Sequence, residues 1–259
     1  MILDEIVANK RNEVEEAKAR LPLSDLEKQI SHAPPVKSFQ EALDRPGRMR
    51  LIAEIKRASP SAGVLNDSLQ PDEHALKYRR AGADALSVLT DHRYFKGTLD
   101  DLKLAAGAAQ LPALRKDFII DPYQIFEARV YGASAILLIA RILDASLIQQ
   151  FLNEARRLGM CALLEVHDES DLEIALKTDA RLIGINNRNL DTLEINLETT
   201  HTLITHIPKD RVVVSESGIS TPEQVLRLRD AGVSALLVGE SILRATDPGQ
   251  KVRDLLGTA

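Results

Sequence analysis

Tryptophan is absent from the 259-residue chain, which also has a single cysteine and only 3% aromatic residues. One cysteine cannot form a disulfide within the chain, and the apolar neighbours of Cys161 in MCALLEV predict a buried, unreactive thiol. No apolar run approaches the roughly 18 residues of a membrane span, and the acidic amino terminus does not have the pattern of a signal or transit peptide. We therefore expect a cytoplasmic protein that makes no contact with membranes.

An excess of basic charge is also lacking. The chain has 33 Lys and Arg against 38 Asp and Glu, a net charge of -5, which argues against nucleic-acid binding because that needs a basic surface. The six histidines are scattered without the close spacing of a ligand set, so we predict no metal site. Only His167 falls near the carboxyl end of a predicted strand, where we expect a solvated or hydrogen-bonded side chain.

Short apolar segments recur from Leu51 onward, and each is followed by an amphipathic segment, which is typical of βα units in a parallel sheet. Eight such units predict an α/β fold, a closed (β/α)8 TIM barrel, over residues 49–259. A doubly wound open sheet is the alternative, which the missing glycine fingerprint after the first strand disfavours. The predicted strands are 51–56, 85–89, 113–116, 135–139, 161–166, 182–186, 212–216 and 235–239.

Residues 1–48 predict a helical amino-terminal extension that packs on the barrel, so that the whole chain forms one structural domain. Apolar residues at helical spacing predict helices over 2–20, 26–30 and 39–43. Ser24 or Asp25 is the expected cap of the second helix. Nothing in this extension carries chemistry that the sequence alone identifies.

The segment LIAEIKRASPSAG, residues 51–63, places two opposite charges at the end of the first strand. Side chains alternate along a strand, so Ile52, Glu54 and Lys56 share one face. An ion pair on an exposed edge would explain these charges, and so would a salt-bridge network that lines the barrel. Burying both charges without partners would cost several kcal/mol each, which favours a functional site.

Polar residues also follow the other predicted strands, at the ends where barrels carry their catalytic groups. Lys116 and Glu165 can meet Glu54 and Lys56 around the barrel axis. Crowded or partly desolvated lysines can have a lowered pKa and act as general acids, and buried glutamates can act as bases. A Schiff-base lysine is the competing role. The other polar residues at these ends are Thr90, Asp91, Asp117, Arg141, Asn186, Arg188, Glu216, Ser217 and Glu240.

Two glycine-containing loops predict a phosphate site. Ser217-Gly218-Ile219-Ser220 follows the seventh strand and Gly239-Glu240-Ser241 follows the eighth. From these two positions barrels often offer backbone N–H groups to phosphate. Tight turns are the alternative explanation of the glycines. A bulky residue in place of Gly239 is therefore expected to raise KM while the fold is retained.

The loops after the first three strands predict the other half of the ligand. Tyr94, Phe95 and Phe118 lie near one rim, which indicates an apolar or aromatic part of the ligand, although each could equally pad a helix. The loop 57–70 contains Ser, Pro and Gly and is long enough to fold over a ligand as a lid.

Several long segments make the chain similar to the indole-3-glycerol-phosphate synthases of tryptophan biosynthesis over nearly its whole length. These segments are IAEIKRASPSAG, SVLTDHRYFKGTLDDL, LRKDFIIDPYQI, LLEVHDESDL, GINNRNL, VSESGI and LLVGESIL. The resemblance implies a lyase that closes a ring with loss of carbon dioxide and water from 1-(2-carboxyphenylamino)-1-deoxyribulose 5-phosphate. It also implies the single-function form of the enzyme, with no cofactor and no metal.

The matching positions resemble the functional positions of the family. Lys116 resembles the general acid that protonates the ribulose C2 oxygen, and Glu165 resembles the general base. Glu54 and Asn186 are implied positioning groups, and Lys56 is implied either to contact charged groups of the substrate or to act as acid in the dehydration. The implied substrate and phosphate binders are Ser59, Phe95, Phe118, Arg188, Glu216, Ser217, Gly218, Gly239 and Glu240, although some family members have a small residue at the last position.

Two other functions stay open from the sequence. A phosphoribosylanthranilate isomerase would share the loops after the seventh and eighth strands, and a non-catalytic barrel would only bind a sugar phosphate. The complete set of lysines and glutamates argues against both. We expect a small sugar-phosphate substrate and a monomer or a weak homo-oligomer.

Overall fold

Eight parallel strands close into a barrel in the computed structural model, which describes residues 2–190 and 192–258. In chain order the strands are β1 (Arg50–Ile55), β2 (Ala58–Ser59), β3 (Gly63–Val64), β4 (Ala85–Leu89), β5 (Ala113–Lys116), β6 (Ala135–Ile139), β7 (Cys161–Val166), β8 (Leu182–Asn186), β9 (Val212–Glu216) and β10 (Ala235–Val238). β2 and β3 form an antiparallel pair in the loop after β1. The barrel order is β1-β10-β9-β8-β7-β6-β5-β4, and β4 closes the ring against β1. The predicted barrel is confirmed and the open sheet is wrong.

The helices occupy most of the chain between the strands. They are α1 (Ile2–Arg20), α2 (Leu23–Ile30), α3 (Phe39–Leu43), α4 (Pro71–Arg80), α5 (His92–Phe95), α6 (Leu99–Ala109), α7 (Pro122–Val130), α8 (Ala145–Arg157), α9 (Glu169–Leu176), α10 (Glu198–Leu203), α11 (Pro222–Asp230), α12 (Glu240–Leu243) and α13 (Pro248–Leu256). The prediction that Ser24 or Asp25 caps α2 is wrong. The helix begins directly after Pro22, which holds the N-cap position without a side-chain hydrogen bond.

Six of the eight barrel strands have the bounds that the sequence predicts. β1 begins and ends one residue earlier than predicted. β10 ends at Val238 because the next residue, Gly239, already holds the N-cap position of α12. The strand bounds are this predictable because most strands are short runs of apolar residues with a polar residue at the end or directly after it.

Side chains along each strand alternate between two hydrophobic cores. In β1, Leu51 and Ile55 face outward into the core shared with the helices, whereas Ile52 faces the barrel interior. Phe39 and Leu43 of α3 belong to the interior core, which is otherwise built mainly from Val, Ile, Leu and Ala of the strands. Because apolar side chains fill the barrel, its polar groups concentrate at the carboxyl ends of the strands.

A third, smaller core joins the amino-terminal helices to the barrel. Val14 of α1 and Leu26 of α2 pack in it with Tyr123 of α7, and all three side chains are buried. On this contact we propose that residues 1–48 are an extension that shares one structural domain with the barrel of residues 49–259.

Lys10 of α1 carries a charge into the wall of the barrel. Its ammonium lies 2.9 Å from Asp91 Oδ2 and 2.9 Å from Asp117 Oδ1, and the residue is only 3% exposed. Arg115 contacts the other oxygen of Asp117 at 3.1 Å. Burial by itself lowers the pKa of Lys10, but the facing carboxylates outweigh it and hold the pKa above its ordinary value. The extension therefore supplies a cation to two buried carboxylates, one of which directly follows Lys116.

We expect Lys10→Met to destabilise the fold by about 3–5 kcal/mol, because it leaves two carboxylates buried without this cation. Lys18→Met is the matched control on the same helix, since Lys18 is partly exposed and its pair with Asp121 at 2.8 Å is worth about 0–1 kcal/mol. Equilibrium unfolding in denaturant measures both variants. Equal losses in the two variants would contradict a structural role of the buried charge.

Candidate active site

A cavity of about 560 Å³ opens at the carboxyl ends of the barrel strands. The catalytic and substrate-binding residues that the family resemblance implies all line it: Glu54, Lys56, Ser59, Phe95, Lys116, Phe118, Glu165, Asn186, Arg188, Glu216, Ser217, Gly218, Gly239 and Glu240. These residues come from several strands and loops far apart in the chain. They lie together because a closed parallel barrel brings the carboxyl ends of all its strands to one rim. The role of each residue stays a prediction.

Two lysine–glutamate pairs lie within the cavity. Lys116 Nζ is 2.8 Å from Glu165 Oε2 and 3.5 Å from Glu216 Oε2. Lys56 Nζ is 2.8 Å from Glu54 Oε1. Each lysine is thus placed against carboxylates rather than against the other lysine.

The predicted lowering of the lysine pKa is wrong for Lys116. Burial by itself lowers the pKa of Lys116, but the carboxylates of Glu165, Glu216 and Glu54 outweigh burial and hold the pKa above its ordinary value. Lys116 therefore carries its proton at neutral pH. A general acid needs that proton at the start of the reaction, so the pairing prepares the side chain for acid chemistry.

The two carboxyl groups beside Lys116 differ in protonation. Burial raises the pKa of Glu216 to about 8, and the carboxylates of Glu165 and Glu54 add to this while Lys116 opposes it. Burial would also raise the pKa of Glu165, but Lys116 and His167 outweigh it and hold the pKa below its ordinary value. At neutral pH Glu165 is accordingly a carboxylate and Glu216 is mainly a neutral acid.

Two glycines make room for the glutamates. A Cβ atom at Gly184 of β8 would overlap Glu216 Oε1, and a Cβ atom at Gly239 would overlap Glu54 Oε1 and lie 3.1 Å from its carboxyl carbon. Gly184 is a position of close approach that the sequence did not reveal. A glycine inside a strand is a known sign of close approach by another group, but it does not reveal which group approaches.

The two predicted phosphate loops lie side by side. Ser241 Oγ donates to the backbone carbonyl of Ile219 at 2.8 Å and so links them. Ser217 and Gly218 both have left-handed backbone, with φ of 67° and 81°, which produces a sharp turn after β9. That conformation is strained for Ser217, and strain of this kind concentrates at functional sites.

The carboxylate of Glu240 is held by arginines. Glu240 Oε1 is 2.9 Å from Arg244 Nε, and Glu240 Oε2 is 3.6 Å from Arg188 Nη2. Arg244 lines the cavity and was not found from the sequence. The Glu240 side chain is poorly placed for a direct phosphate contact, because its oxygens already face two guanidinium groups.

Aromatic and aliphatic side chains form the opposite part of the cavity. The rings of Phe95 and Phe118 lie 6.2 Å apart between centroids at an angle of 39°. The placement of Tyr94 at this rim is wrong, because its hydroxyl donates to Glu5 of α1 at 2.9 Å and its side chain does not line the cavity. Side chains of α1, among them Leu3, do line it, so the extension contributes an apolar wall that the sequence did not predict.

Some polar residues at the strand ends face away from the cavity. Thr90 donates to Asp117 Oδ2 at 2.6 Å, Asp91 pairs with Lys10, and Arg141 pairs with Asp168. They stabilise the loops instead of facing a ligand. Cys161 is only partly buried at the start of β7, yet burial raises the pKa of its thiol to about 12, which fits the predicted lack of reactivity.

Within residues 2–190 and 192–258, no group of three or more His, Cys, Asp and Glu side chains has an arrangement that could hold a metal ion. In the same ranges, no helix is long and apolar enough to cross a membrane.

Paired lysines and glutamates at the carboxyl ends of a closed parallel barrel define a TIM-barrel enzyme with an acid–base site. The profile of one family, "Indole-3-glycerol phosphate synthase", matches residues 3–255. The chain belongs to the indole-3-glycerol phosphate synthase family.

Relatives of that name support the assignment. One from Polaromonas naphthalenivorans (strain CJ2) is 48% identical over 259 residues, which cover 99% of this chain and 98% of the relative. Another from Dehalococcoides mccartyi (strain CBDB1) is 46% identical over 260 residues, covering 99% of this chain and 100% of the relative.

Solved structures with low identity share the fold. The N-acetylmannosamine-6-phosphate 2-epimerase from Clostridium perfringens has a TM-score of 0.61 at 15% identity and covers 85% of this chain and 96% of its own. A thiamine phosphate pyrophosphorylase from Pyrococcus furiosus has a TM-score of 0.57 at 13% identity, covering 80% of this chain and 93% of its own.

We predict that Gly239→Ala lowers kcat about 10- to 100-fold, because the added methyl group displaces the carboxylate of Glu54 and a small misplacement of a catalytic group is costly. Gly107→Ala on α6 is the matched control, since a Cβ atom there meets nothing within 4 Å. Steady-state turnover of the carboxyphenylamino-deoxyribulose phosphate measures both variants. A raised KM with kcat unchanged would assign Gly239 to the phosphate loop alone.

Proposed function

We propose that the chain converts 1-(2-carboxyphenylamino)-1-deoxyribulose 5-phosphate to indole-3-glycerol phosphate, with release of carbon dioxide and water. The observation that carries this proposal is the position of Lys116. Its protonated ammonium lies between Glu165 and Glu216, in a cavity that has aromatic rings and two glycine-containing loops among its walls. This arrangement suits a substrate with an aromatic ring at one end, a phosphate at the other and a carbonyl group between them.

In the ring closure, Lys116 gives its proton to the C2 carbonyl oxygen of the substrate. The ring carbon that bears the carboxyl group attacks C2, and the new carbon–carbon bond leaves C2 with a hydroxyl group. The carboxyl group then departs as carbon dioxide and its bonding electrons restore the aromatic ring. The raised pKa of Lys116 keeps the proton available until the substrate oxygen gains negative charge.

In the dehydration, the C2 hydroxyl leaves as water and a proton is lost from C1, which forms the double bond of the indole. Glu165 accepts the proton as general base, and Lys56 protonates the departing hydroxyl or contacts the charged groups of the substrate. Glu54 holds Lys56 at 2.8 Å, and Asn186, at the end of β8, positions the reacting groups. A Schiff base on Lys116 is disfavoured because the carboxylates beside it keep the amine protonated.

The remaining residues bind the two ends of the substrate. Phe95 and Phe118 pack on the anthranilate ring. The phosphate is bound by Ser59, by backbone N–H groups at Ser217, Gly218 and Gly239, and by Arg188, which reaches it by exchanging Glu240 for the phosphate. Glu216, as a neutral acid, donates a hydrogen bond to the substrate. The loop after β1 acts as the lid.

Other expectations from the sequence stay predictions. They are a reaction without metal or cofactor, a monomeric or weakly associated state, a cytoplasmic location and no nucleic-acid partner.

We expect the purified protein to release carbon dioxide and generate indole fluorescence from this substrate without added metal or nucleotide. Because the chain has no tryptophan, only its four tyrosines contribute to the background. Activity that disappears with a chelator and returns with a divalent ion would overturn the cofactor-free mechanism.

Lys116→Met retains most of the apolar stem and removes the proton, so we expect kcat to fall about 100- to 10,000-fold, or roughly 3–5 kcal/mol of barrier. Substrate affinity changes far less, because the ring and phosphate contacts lie on other loops. Single-turnover kinetics, with binding measured by ligand competition, separates the two effects.

Lys103→Met on α6, an exposed position, is the control for this substitution. A kcat of Lys116→Met within about threefold of the wild-type value would remove Lys116 from the chemistry and leave Lys56 as the acid.

A further inference from the structure

His167 is buried directly behind the proposed general base. It follows β7, two residues after Glu165, and its side chain is 2% exposed. Nε2 of the imidazole lies 3.2 Å from Glu165 Oε1, and Nδ1 lies 3.1 Å from Asp171 Oδ2. Lys116 contacts the other oxygen of Glu165 at 2.8 Å. Each oxygen of Glu165 therefore has its own nitrogen partner, and neither the ring closure nor the dehydration uses His167.

We propose that His167, fixed by Asp171, is a positioning residue for Glu165. It remains beside Oε1 as an imidazolium while Lys116 leaves Oε2 to protonate the substrate, so Glu165 keeps its orientation and its negative charge until it accepts the proton from C1. This inference rests on the proposed roles of Lys116 and Glu165.

The surroundings of His167 favour a charged imidazole. A neutral imidazole has one N–H donor and one acceptor, whereas an imidazolium donates from both nitrogens. Nδ1 is hydrogen-bonded to Asp171 Oδ2, whereas Nε2 lies 3.2 Å from Glu165 Oε1 at ion-pair distance without hydrogen-bond geometry. Two carboxylates close to a buried ring favour the imidazolium over the neutral imidazole. Burial by itself lowers the pKa of His167, but Asp171 and Glu165 outweigh burial and raise the pKa to about 9.

Asp171 is held firmly enough to fix the ring. Its Oδ2 atom also accepts the backbone N–H of His167 at 2.9 Å, and Arg141 lies 3.4 Å from the same oxygen. Asp171 belongs to the first turn of α9 and is buried. The ring of His167 is therefore fixed from the side opposite Glu165.

The charged groups around Glu165 show when His167 matters most. Lys116 of β5 and His167 are the cations beside it, and Glu216 of β9 faces it from across the cavity. Glu54 of β1 affects Glu165 indirectly, because it raises the pKa of Lys116 and of Glu216. On the outer side, Asp171, Asp168 and Arg141 surround His167. Once Lys116 has given its proton to the substrate, His167 is the remaining cation in contact with Glu165 among the described residues.

His167→Gln removes the charge beside Glu165 and keeps a polar side chain that can donate hydrogen bonds. We expect the acid limb of the kcat profile to move upward by at least about one pH unit, since Glu165 loses a cation and binds protons more readily. The acid limb of the kcat/KM profile, which reports the free enzyme, moves less because Lys116 still contacts Glu165 in the free enzyme. Near pH 8.5, kcat of His167→Gln lies within about threefold of the wild-type value.

His167→Phe removes both the charge and the donor while keeping a ring. We expect the same shift of the acid limb together with a kcat about 10-fold lower at every pH, and a KM that changes little. His206→Gln, on the exposed turn after α10, is the control and retains the wild-type profile. Folded variants with a wild-type acid limb, or variants that change only KM, would overturn the proposal.

A measurement independent of turnover distinguishes this inference from the proposed function. In nitrogen-15 NMR of the histidine rings, the resonance that His167→Gln removes should titrate near pH 9 in the wild-type protein and at a lower pH in Glu165→Gln. Titration near the ordinary value of about 6.5 would refute a charged His167 even in an active enzyme. A charged His167 in a protein that fails to turn over the substrate would refute the proposed function instead.

Discussion

A lysine ammonium buried between carboxyl groups is the constraint on which the rest of the site depends. Removing Lys116 from water costs several kcal/mol, and only close carboxylates offset that cost. Glu54, Glu165 and Glu216 therefore converge on the barrel axis, which places three carboxyl groups near two lysines. Since the three carboxyl groups cannot all ionise so close together, one of them retains a proton, and burial assigns it to Glu216. One requirement of charge balance thus places a protonated lysine, a carboxylate and a neutral carboxyl group in the same cavity.

Buried charge pairs also connect the barrel wall to the amino-terminal extension. In the segment Arg115-Lys116-Asp117, Lys116 faces the cavity, while the flanking residues pair with each other and Asp117 also pairs with Lys10. A second group of buried charges therefore lies behind the lysines and glutamates that line the cavity, and one of its cations belongs to α1. Helix α1 also contributes side chains to the apolar wall of the cavity. Helix α1 therefore contributes both to the stability of the fold, through Lys10, and to the shape of the cavity.

The sequence predicted well what depends on local pattern. Short runs of apolar residues predicted the barrel strands, and alternation along β1 predicted that Glu54 and Lys56 face the same way. What it missed depends on pairs of residues far apart in the chain. The direction of the Lys116 pKa shift needs the distances to carboxylates on other strands, and the burial of Lys10 needs its partners across the barrel wall. Tyr94 was misplaced because a one-turn helix, α5, does not reveal from its sequence which side chain turns toward the cavity.

Gly184 and Glu216 illustrate a consequence for how such a chain can change over time. The two residues lie on neighbouring strands, and the carboxylate of one occupies the space that a side chain on the other would fill. Alanine at position 184 would force the carboxyl group of Glu216 to move, so a change at one site affects the other. Shortening the acid to aspartate first would make room, but it would withdraw the carboxyl group from Lys116. Substitution at this pair would therefore pass through an intermediate with an impaired active site, which closes the simplest mutational route away from glycine.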